Sequence, residues 1–157
     1  MGFINMGIKY YIDISGQIQQ INLDSSLGCF GDNGLRFSVY FKSSIKKELI
    51  HKYKGQIINR IEKLHCILIY YCIKDRLENI GEIEICRDAN FRRIKNLLPL
   101  LFKDYNCFKF IEIVQRESNS DKSFAHRVAL KTFRKKKYAD VLITKEMIED
   151  VLFKFKH

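Results

Sequence analysis

A carboxylate inside an apolar segment is the feature that most constrains the fold of this chain. Residues 8–14 form an apolar run typical of a β-strand, and Ser15-Gly16 follows as a turn. Asp13 lies near the end of this run. A carboxylate buried among apolar groups costs free energy unless it is paired or bound to a metal ion. We therefore expect Asp13 either to hold a cation or to reach solvent at the strand end.

Two later segments repeat the arrangement of a strand that ends in charged residues. One carries Glu84 and reaches Asp88, and the other, residues 111–114, leads through a polar link to Asp121. Parallel neighbouring strands would bring Asp13, Asp88 and Asp121 to one end of a sheet. Oxygen ligands from separate elements are what Mg²⁺ and Mn²⁺ require. The sequence predicts that these three aspartates bind Mg²⁺ or Mn²⁺, with Glu84 in reserve; alternatively, Asp88 and Asp121 only cap helices.

His126 lies in the predicted helix that follows Asp121. Imidazole changes charge near neutral pH, so His126 could activate water or help the product to leave. The predicted catalytic residues are therefore Asp13, Asp88, Asp121 and His126. The alternative is that His126 is a partly buried packing residue.

Apolar periodicity predicts one α/β domain over residues 1–157, which opens with an antiparallel three-strand meander. The three strands are expected at residues 8–14, around residues 18–23 and at residues 35–41, with a glycine-rich link before the third.

Helices and strands are then expected to alternate. A helical pattern begins at Ile45 and crosses Gly55 towards Asn79; within it, residues 67–73 fit a helix or a strand, and helix is favoured. The later elements are a strand at 82–86, a helix from Phe91 that Pro99 kinks or ends, a strand at 108–114, a helix at 122–136, a short apolar run at 138–143 and a final helix capped by Thr144.

A positive charge is spread along the chain. The 157 residues carry a formal net charge of +10 and have an isoelectric point near 9.4. The charge indicates a polyanionic partner such as DNA or RNA; the alternative is that a lysine- and isoleucine-rich composition alone accounts for it. The cations expected to hold phosphates are Arg92, Arg93, Arg127, Lys131, Arg134 and Lys135. The alternative, with equal support, is that the basic run is a solvated helix end, where cations favour the dipole.

The remaining composition argues for a cytoplasmic protein with no membrane partner. The five cysteines have neither CxxC spacing nor an even count, which disfavours a zinc finger or a disulfide framework. The longest apolar run, residues 66–73, is too short to span a bilayer, and no signal peptide is evident.

The opening Ile12-Asp13-Ile14-Ser15-Gly16 resembles that of small members of the ribonuclease H-like superfamily. The resemblance implies a mixed sheet that begins with a meander and continues with alternating helices and strands. It also implies that Asp13 is the acid of the first strand and that Asp88 is the acid ending a later strand. The last acid of the family corresponds to Asp121 or, less naturally, to Asp140.

Two positions depart from the pattern of that superfamily. Ile14 stands where related openings often carry an acid. The glutamate that classical ribonucleases H place on the first helix has three candidates here, Glu48, Glu62 and Glu78.

Three functional hypotheses follow. The leading one is a metal-dependent nuclease, or related phosphoryl-transfer enzyme, that hydrolyses nucleic-acid phosphodiesters. The second is a non-catalytic nucleic-acid-binding or assembly module on the same fold, which predicts salt-sensitive binding without metal dependence. The third is a protein-interaction domain whose basic surface is incidental.

Overall fold

The computed structural model describes residues 7–86, 90–117 and 123–156, and these form an α/β fold around one six-stranded mixed sheet. The strands are β1 (Ile8–Ser15), β2 (Ser25–Gly31), β3 (Arg36–Phe41), β4 (Ile80–Ile85), β5 (Glu112–Gln115) and β6 (Val141–Ile143). The helices are α1 (Ser43–Lys52), α2 (Arg60–Ile73), α3 (Phe91–Leu101), α4 (Phe124–Arg134) and α5 (Lys145–Leu152).

The strand order across the sheet is β5-β4-β1-β2-β3-β6. Strands β1, β2 and β3 pair antiparallel, so the predicted meander is confirmed. Strand β4 pairs parallel to β1 and β5 parallel to β4, while β6 pairs parallel to β3. The carboxyl ends of β1, β4 and β5 therefore lie at the same edge of the sheet.

Helices cover both faces of the sheet. On one face lies α2, almost wholly buried, with Cys72 against the backbone of Leu27 in β2. It packs against α3, and Tyr71 of α2 donates a hydrogen bond to the Met147 carbonyl of α5. The other face of β2 points at α4, which contacts β1, β2 and β3. Its inner surface consists of the small buried residues Ala125, Ala129 and Thr132.

The predicted second strand is misplaced. Residues 18–23 form turns, and the strand lies instead at Ser25–Gly31, in the region expected to be a glycine-rich link. A lysine of α1 explains the difference. The buried Lys46 ammonium donates to the carbonyls of Gln17, Gln20 and Leu23, at 3.2, 3.2 and 2.7 Å, and so holds this segment as a loop.

The other predicted elements differ from the structure mainly in their ends. Residues 67–73 are helical, as favoured, but the long helical pattern divides into α1 and α2, with Gly55 at a φ of +78° between them. Pro99 lies inside the last turn of α3. Strand β5 is shorter than predicted because residues 106–110 form a 3₁₀ turn. Thr144 caps α5 by accepting the Met147 N–H at 3.1 Å, as predicted.

None of the helices in the described part of the chain has the length and apolar content required to cross a bilayer.

Substitution of Lys46 tests whether this residue stabilises the loop between β1 and β2. Its ammonium also donates to Ser25 Oγ at 2.7 Å, and burial lowers the pKa of Lys46 to about 8. Replacing Lys46 with methionine removes the donor shared by three loop carbonyls and the buried Ser25 hydroxyl, so we expect Lys46→Met to lower the free energy of unfolding by about 2–4 kcal/mol. Lys47, exposed on the same helix, is the matched control, and Lys47→Met should change stability by less than ~0.5 kcal/mol in urea denaturation. Equal losses would contradict this role.

His65 of α2 makes stability depend on pH. It is 4% exposed, and burial lowers its pKa to about 4 from 6.5. Between those values the unfolded chain binds a proton that the folded chain does not, so stability falls as the pH drops from 6.5 towards 4. From pH 7 to pH 5 the wild type should lose about 2 kcal/mol more than His65→Phe, measured by urea denaturation. Parallel losses in the two proteins would show that His65 does not carry this dependence.

Candidate functional site

The candidate site is centred on Asp13, in the middle of the sheet. The residue pairs with Gly28 across β1 and β2, and both face α4. Asp13 is 5% exposed, so it is not at a solvated strand end. One carboxylate oxygen, Oδ1, accepts the N–H of the adjacent Ile14 at 2.8 Å. The other oxygen, Oδ2, is directed at two nitrogen-bearing side chains from distant parts of the chain.

Arg116 and His126 supply these nitrogen groups. Arg116 Nη1 lies 3.6 Å from Asp13 Oδ2, and His126 Nδ1 lies 3.5 Å from the same oxygen. Arg116 directly follows β5, and its N–H donates to the Ile85 carbonyl of β4. His126 belongs to the first turn of α4. The contact with Arg116 is an ion pair, and both separations exceed normal hydrogen-bond lengths.

Ser123 hydrogen-bonds to both of these residues. It is the N-cap of α4, and its Oγ accepts the backbone N–H of His126 at 3.1 Å. The same oxygen accepts a hydrogen bond from Arg116 Nη1, also at 3.1 Å. A single hydroxyl therefore links the start of α4 to the end of β5 beside Asp13. Sequence reasoning missed Ser123 and Arg116, although an arginine directly after an apolar strand was a usable signal.

Gly28 allows α4 to approach the sheet closely enough to form this site. A Cβ at position 28 would lie 2.5 Å from the Ala129 nitrogen and 2.8 Å from the Ala125 carbonyl oxygen. Both atoms belong to the backbone, so no side-chain rotation relieves the clash. The absence of a side chain opposite Asp13 is what brings His126 within reach of it.

Two of the three predicted metal ligands, Asp88 and Asp121, lie outside the described residues. Described residues close to them in sequence are near Asp13. Cys86 donates its N–H to the Ile12 carbonyl at 3.2 Å, and Ser123 contacts Arg116 as described above.

Glu84, the reserve ligand, pairs with Tyr11 in the β1–β4 register and so lies on the same sheet face as Asp13. Its carboxylate is nevertheless bound to Lys9, with Oε1 3.3 Å from Nζ. Lys9 also binds Glu82 at 3.0 Å, and this hydrogen bond is the main cause that raises the pKa of Lys9. Glu84 is therefore engaged in an ion pair of its own.

The alternative acids have other partners. Asp140 Oδ2 accepts the Ser38 N–H at 2.8 Å, two strands away from Asp13. Glu48 pairs with Lys145, and Glu62 pairs with Arg93. Glu78 lies in the 3₁₀ turn before β4.

Within residues 7–86, 90–117 and 123–156, no three His, Cys, Asp or Glu side chains converge as a metal site. The carboxylate at the centre of the site is that of Asp13. A complete site for Mg²⁺ or Mn²⁺ would therefore depend on Asp88 and Asp121.

The predicted phosphate-binding cations divide between the two layers of helices. Arg127, Lys131 and Arg134 are exposed on α4, and Lys135 follows it. Arg92 and Arg93 are exposed on α3, and Arg93 Nη1 binds Glu62 of α2 at 3.2 Å. The cations of α4 are thus the ones that share a layer with His126.

Chemically, the site holds a buried carboxylate, a guanidinium and an imidazole beside the sheet edge where β1, β4 and β5 end. A guanidinium can bind a phosphate through two N–H donors, and an imidazole can take up or release a proton near neutral pH.

Comparison with models of known protein families finds no match to this chain, and comparison with curated proteins finds none either.

A methyl group at position 28 should disturb the site through the backbone of α4. We expect Gly28→Ala to lower the free energy of unfolding by about 1–3 kcal/mol, because α4 must move away from β2. The matched control is Ser26→Ala on the same face of β2, where a Cβ is already accommodated. Urea denaturation measures both, and the His126 imidazole resonances should shift only in Gly28→Ala. Unchanged resonances and stability in Gly28→Ala would refute the close-approach role.

Proposed function

We propose that this protein is a metal-dependent nuclease, or related phosphoryl-transfer enzyme, with a ribonuclease H-like fold. The observation that carries the proposal is the position of Asp13. A carboxylate is buried in the middle of the sheet, beside an arginine and a histidine, on the strand that pairs parallel with β4. Such a carboxylate needs a cationic partner, and a bound metal ion with a phosphodiester would complete the charge balance.

The sheet supports the proposal through its topology. A meander leads into parallel strands, as the superfamily resemblance implies, and Asp13 lies on β1, which pairs antiparallel with β2 and parallel with β4. In open α/β sheets, ligands bind outside the carboxyl ends of strands where the order reverses. Cys86, two residues before Asp88 in the sequence, and Ser123, two residues after Asp121, both have contacts at that edge.

Each residue has a proposed role in phosphodiester hydrolysis. Asp13, Asp88 and Asp121 would hold one or two Mg²⁺ or Mn²⁺ ions, which when bound lower the pKa of water and neutralise developing phosphate charge. Arg116 would bind a non-bridging phosphate oxygen. His126 would take up or donate a proton at its imidazole, and Ser123 would hold the guanidinium of Arg116 and the backbone of His126 in place.

A second candidate function is a non-catalytic nucleic-acid-binding module. The observation that favours it is the contact between Arg116 and Asp13, because an internal cation already balances the buried carboxylate. On this hypothesis the site only stabilises the fold, and binding depends on salt without depending on metal.

Asp13→Asn tests the proposed activity. The amide keeps the shape of the side chain but removes a metal-ligand charge, so Mg²⁺- or Mn²⁺-dependent cleavage should fall by about a hundredfold or more. The measurement is cleavage of end-labelled single-stranded, duplex and RNA–DNA hybrid substrates, with circular dichroism to check folding. Asp75→Asn, at an exposed residue of the opposite layer, is the control and should cleave like the wild type.

A titration with Mn²⁺ separates the two candidates. A metal at the proposed site broadens the backbone resonances of Asp13 and Ile14 in the wild type, and this effect disappears in Asp13→Asn. If the wild type cuts nothing that Asp13→Asn does not also cut, and these resonances stay sharp while oligonucleotides still bind, the second candidate replaces the first.

A further inference from the structure

A groove lies on the other side of α4 from Asp13, between that helix and β3. It encloses about 340 Å³ and is lined by Arg36, Phe37, Ser38, Phe124, Arg127, Val128, Lys131, Thr132, Tyr138 and Asp140. We call it the α4–β3 groove. The metal-centred function proposed above does not use it, although His126 and Phe124 belong to the same turn of α4.

Two aromatic rings are exposed in the α4–β3 groove. Phe124 is 50% exposed and Tyr138 is 42% exposed, and both line the same groove. Phe124 stacks on Phe30 with ring centroids 4.7 Å apart, so its position is fixed while half of it remains accessible. Each ring is thus a platform on which a flat group can stack.

A cation lies beside each ring. The Arg127 guanidinium is 5.4 Å from the Phe124 centroid, and Lys131 Nζ is 4.2 Å from the Tyr138 centroid. Arg36 lies 5.9 Å from the Phe30 ring at the same end of the groove. The groove thus pairs an exposed ring with a positive charge twice: Phe124 with Arg127 on α4, and Tyr138, in the 3₁₀ turn after α4, with Lys131.

The floor of the groove is rigid and internally bonded. Thr132 Oγ1 donates to Ser38 Oγ at 2.8 Å, and Ser38 Oγ donates to the Tyr138 carbonyl at 3.3 Å. The carboxylate of Asp140, the one acidic group of the lining, accepts the Ser38 N–H at 2.8 Å. Because these polar groups are already paired, the three cations and two exposed rings provide the binding chemistry.

We propose that the α4–β3 groove binds single-stranded nucleic acid, with bases stacked on Phe124 and Tyr138 and phosphates bound by Arg36, Arg127 and Lys131. The inference deepens the proposed function, since it assumes the same class of substrate and adds how the strand is held. Alternating rings and cations suit successive nucleotides, whose bases are free to stack only when they are unpaired. An acidic peptide would use the cations but leave both rings exposed.

Binding is measured by fluorescence anisotropy with a labelled dT20 oligonucleotide, a duplex of the same length and labelled poly-glutamate, all with EDTA to prevent cleavage. We expect Phe124→Leu and Tyr138→Leu each to weaken dT20 binding about fivefold or more, with little effect on the duplex. Arg127→Gln and Lys131→Gln should each reduce the slope of log affinity against log salt by about 0.7.

Matched controls come from exposed residues outside the groove. Phe153 is 63% exposed at the C-terminal end and Lys47 is exposed on α1, so Phe153→Leu and Lys47→Gln should bind dT20 like the wild type. The proposal is overturned if the groove variants bind dT20 as well as these controls do, or if poly-glutamate binds as tightly as dT20 with the same dependence on Lys131.

The outcome is independent of the activity test. Loss of dT20 binding in the groove variants supports the inference even if the wild type cleaves nothing with Mg²⁺ or Mn²⁺. Metal-dependent cleavage combined with unchanged dT20 binding in Phe124→Leu, Tyr138→Leu and Lys131→Gln would keep the proposed function and refute the groove.

Discussion

The close contact between α4 and β2 at Gly28 is the constraint on which the candidate site depends. Backbone atoms of Ala125 and Ala129 occupy the space that a side chain at position 28 would need. This contact places the start of α4 against β1, so that His126 meets Asp13. The α4–β3 groove has the same origin, because the helix that presents His126 on one side presents Phe124, Arg127 and Lys131 on the other.

The buried charge of Asp13 links the two candidate functions. In the structure its Oδ2 faces Arg116 and His126, and the Ser123 hydroxyl accepts hydrogen bonds from Arg116 Nη1 and from the His126 backbone N–H. Such an arrangement stabilises a carboxylate in the sheet whether or not a metal ion also binds. In the catalytic hypothesis, a metal ion and a substrate phosphate bind beside Asp13. In the structural hypothesis, Asp13 interacts only with protein groups. Metal titration and Asp13→Asn discriminate between the two for this reason.

Sequence patterns correctly predicted the elements that depend on residues close together in the chain. Strand β3 and the N-cap at Thr144 follow from alternation and from a hydroxyl at the right spacing. The second strand was misplaced because its cause is distant: Lys46 of α1 binds the carbonyls of residues 17, 20 and 23. Likewise, periodicity in β4 could not show that Glu84 would bind Lys9 across the sheet.

The sequence by itself determined that a carboxylate stands in an apolar strand, that a meander leads into alternating helices and strands, and that the chain is strongly basic. It also placed His126 on a helix. Only the tertiary structure decided which groups meet Asp13, that Glu84 turns to Lys9, and that exposed rings and cations line one groove. The physical reason is that periodicity records which face a residue occupies, whereas contacts between distant segments depend on strand order, register and the closeness of helix packing.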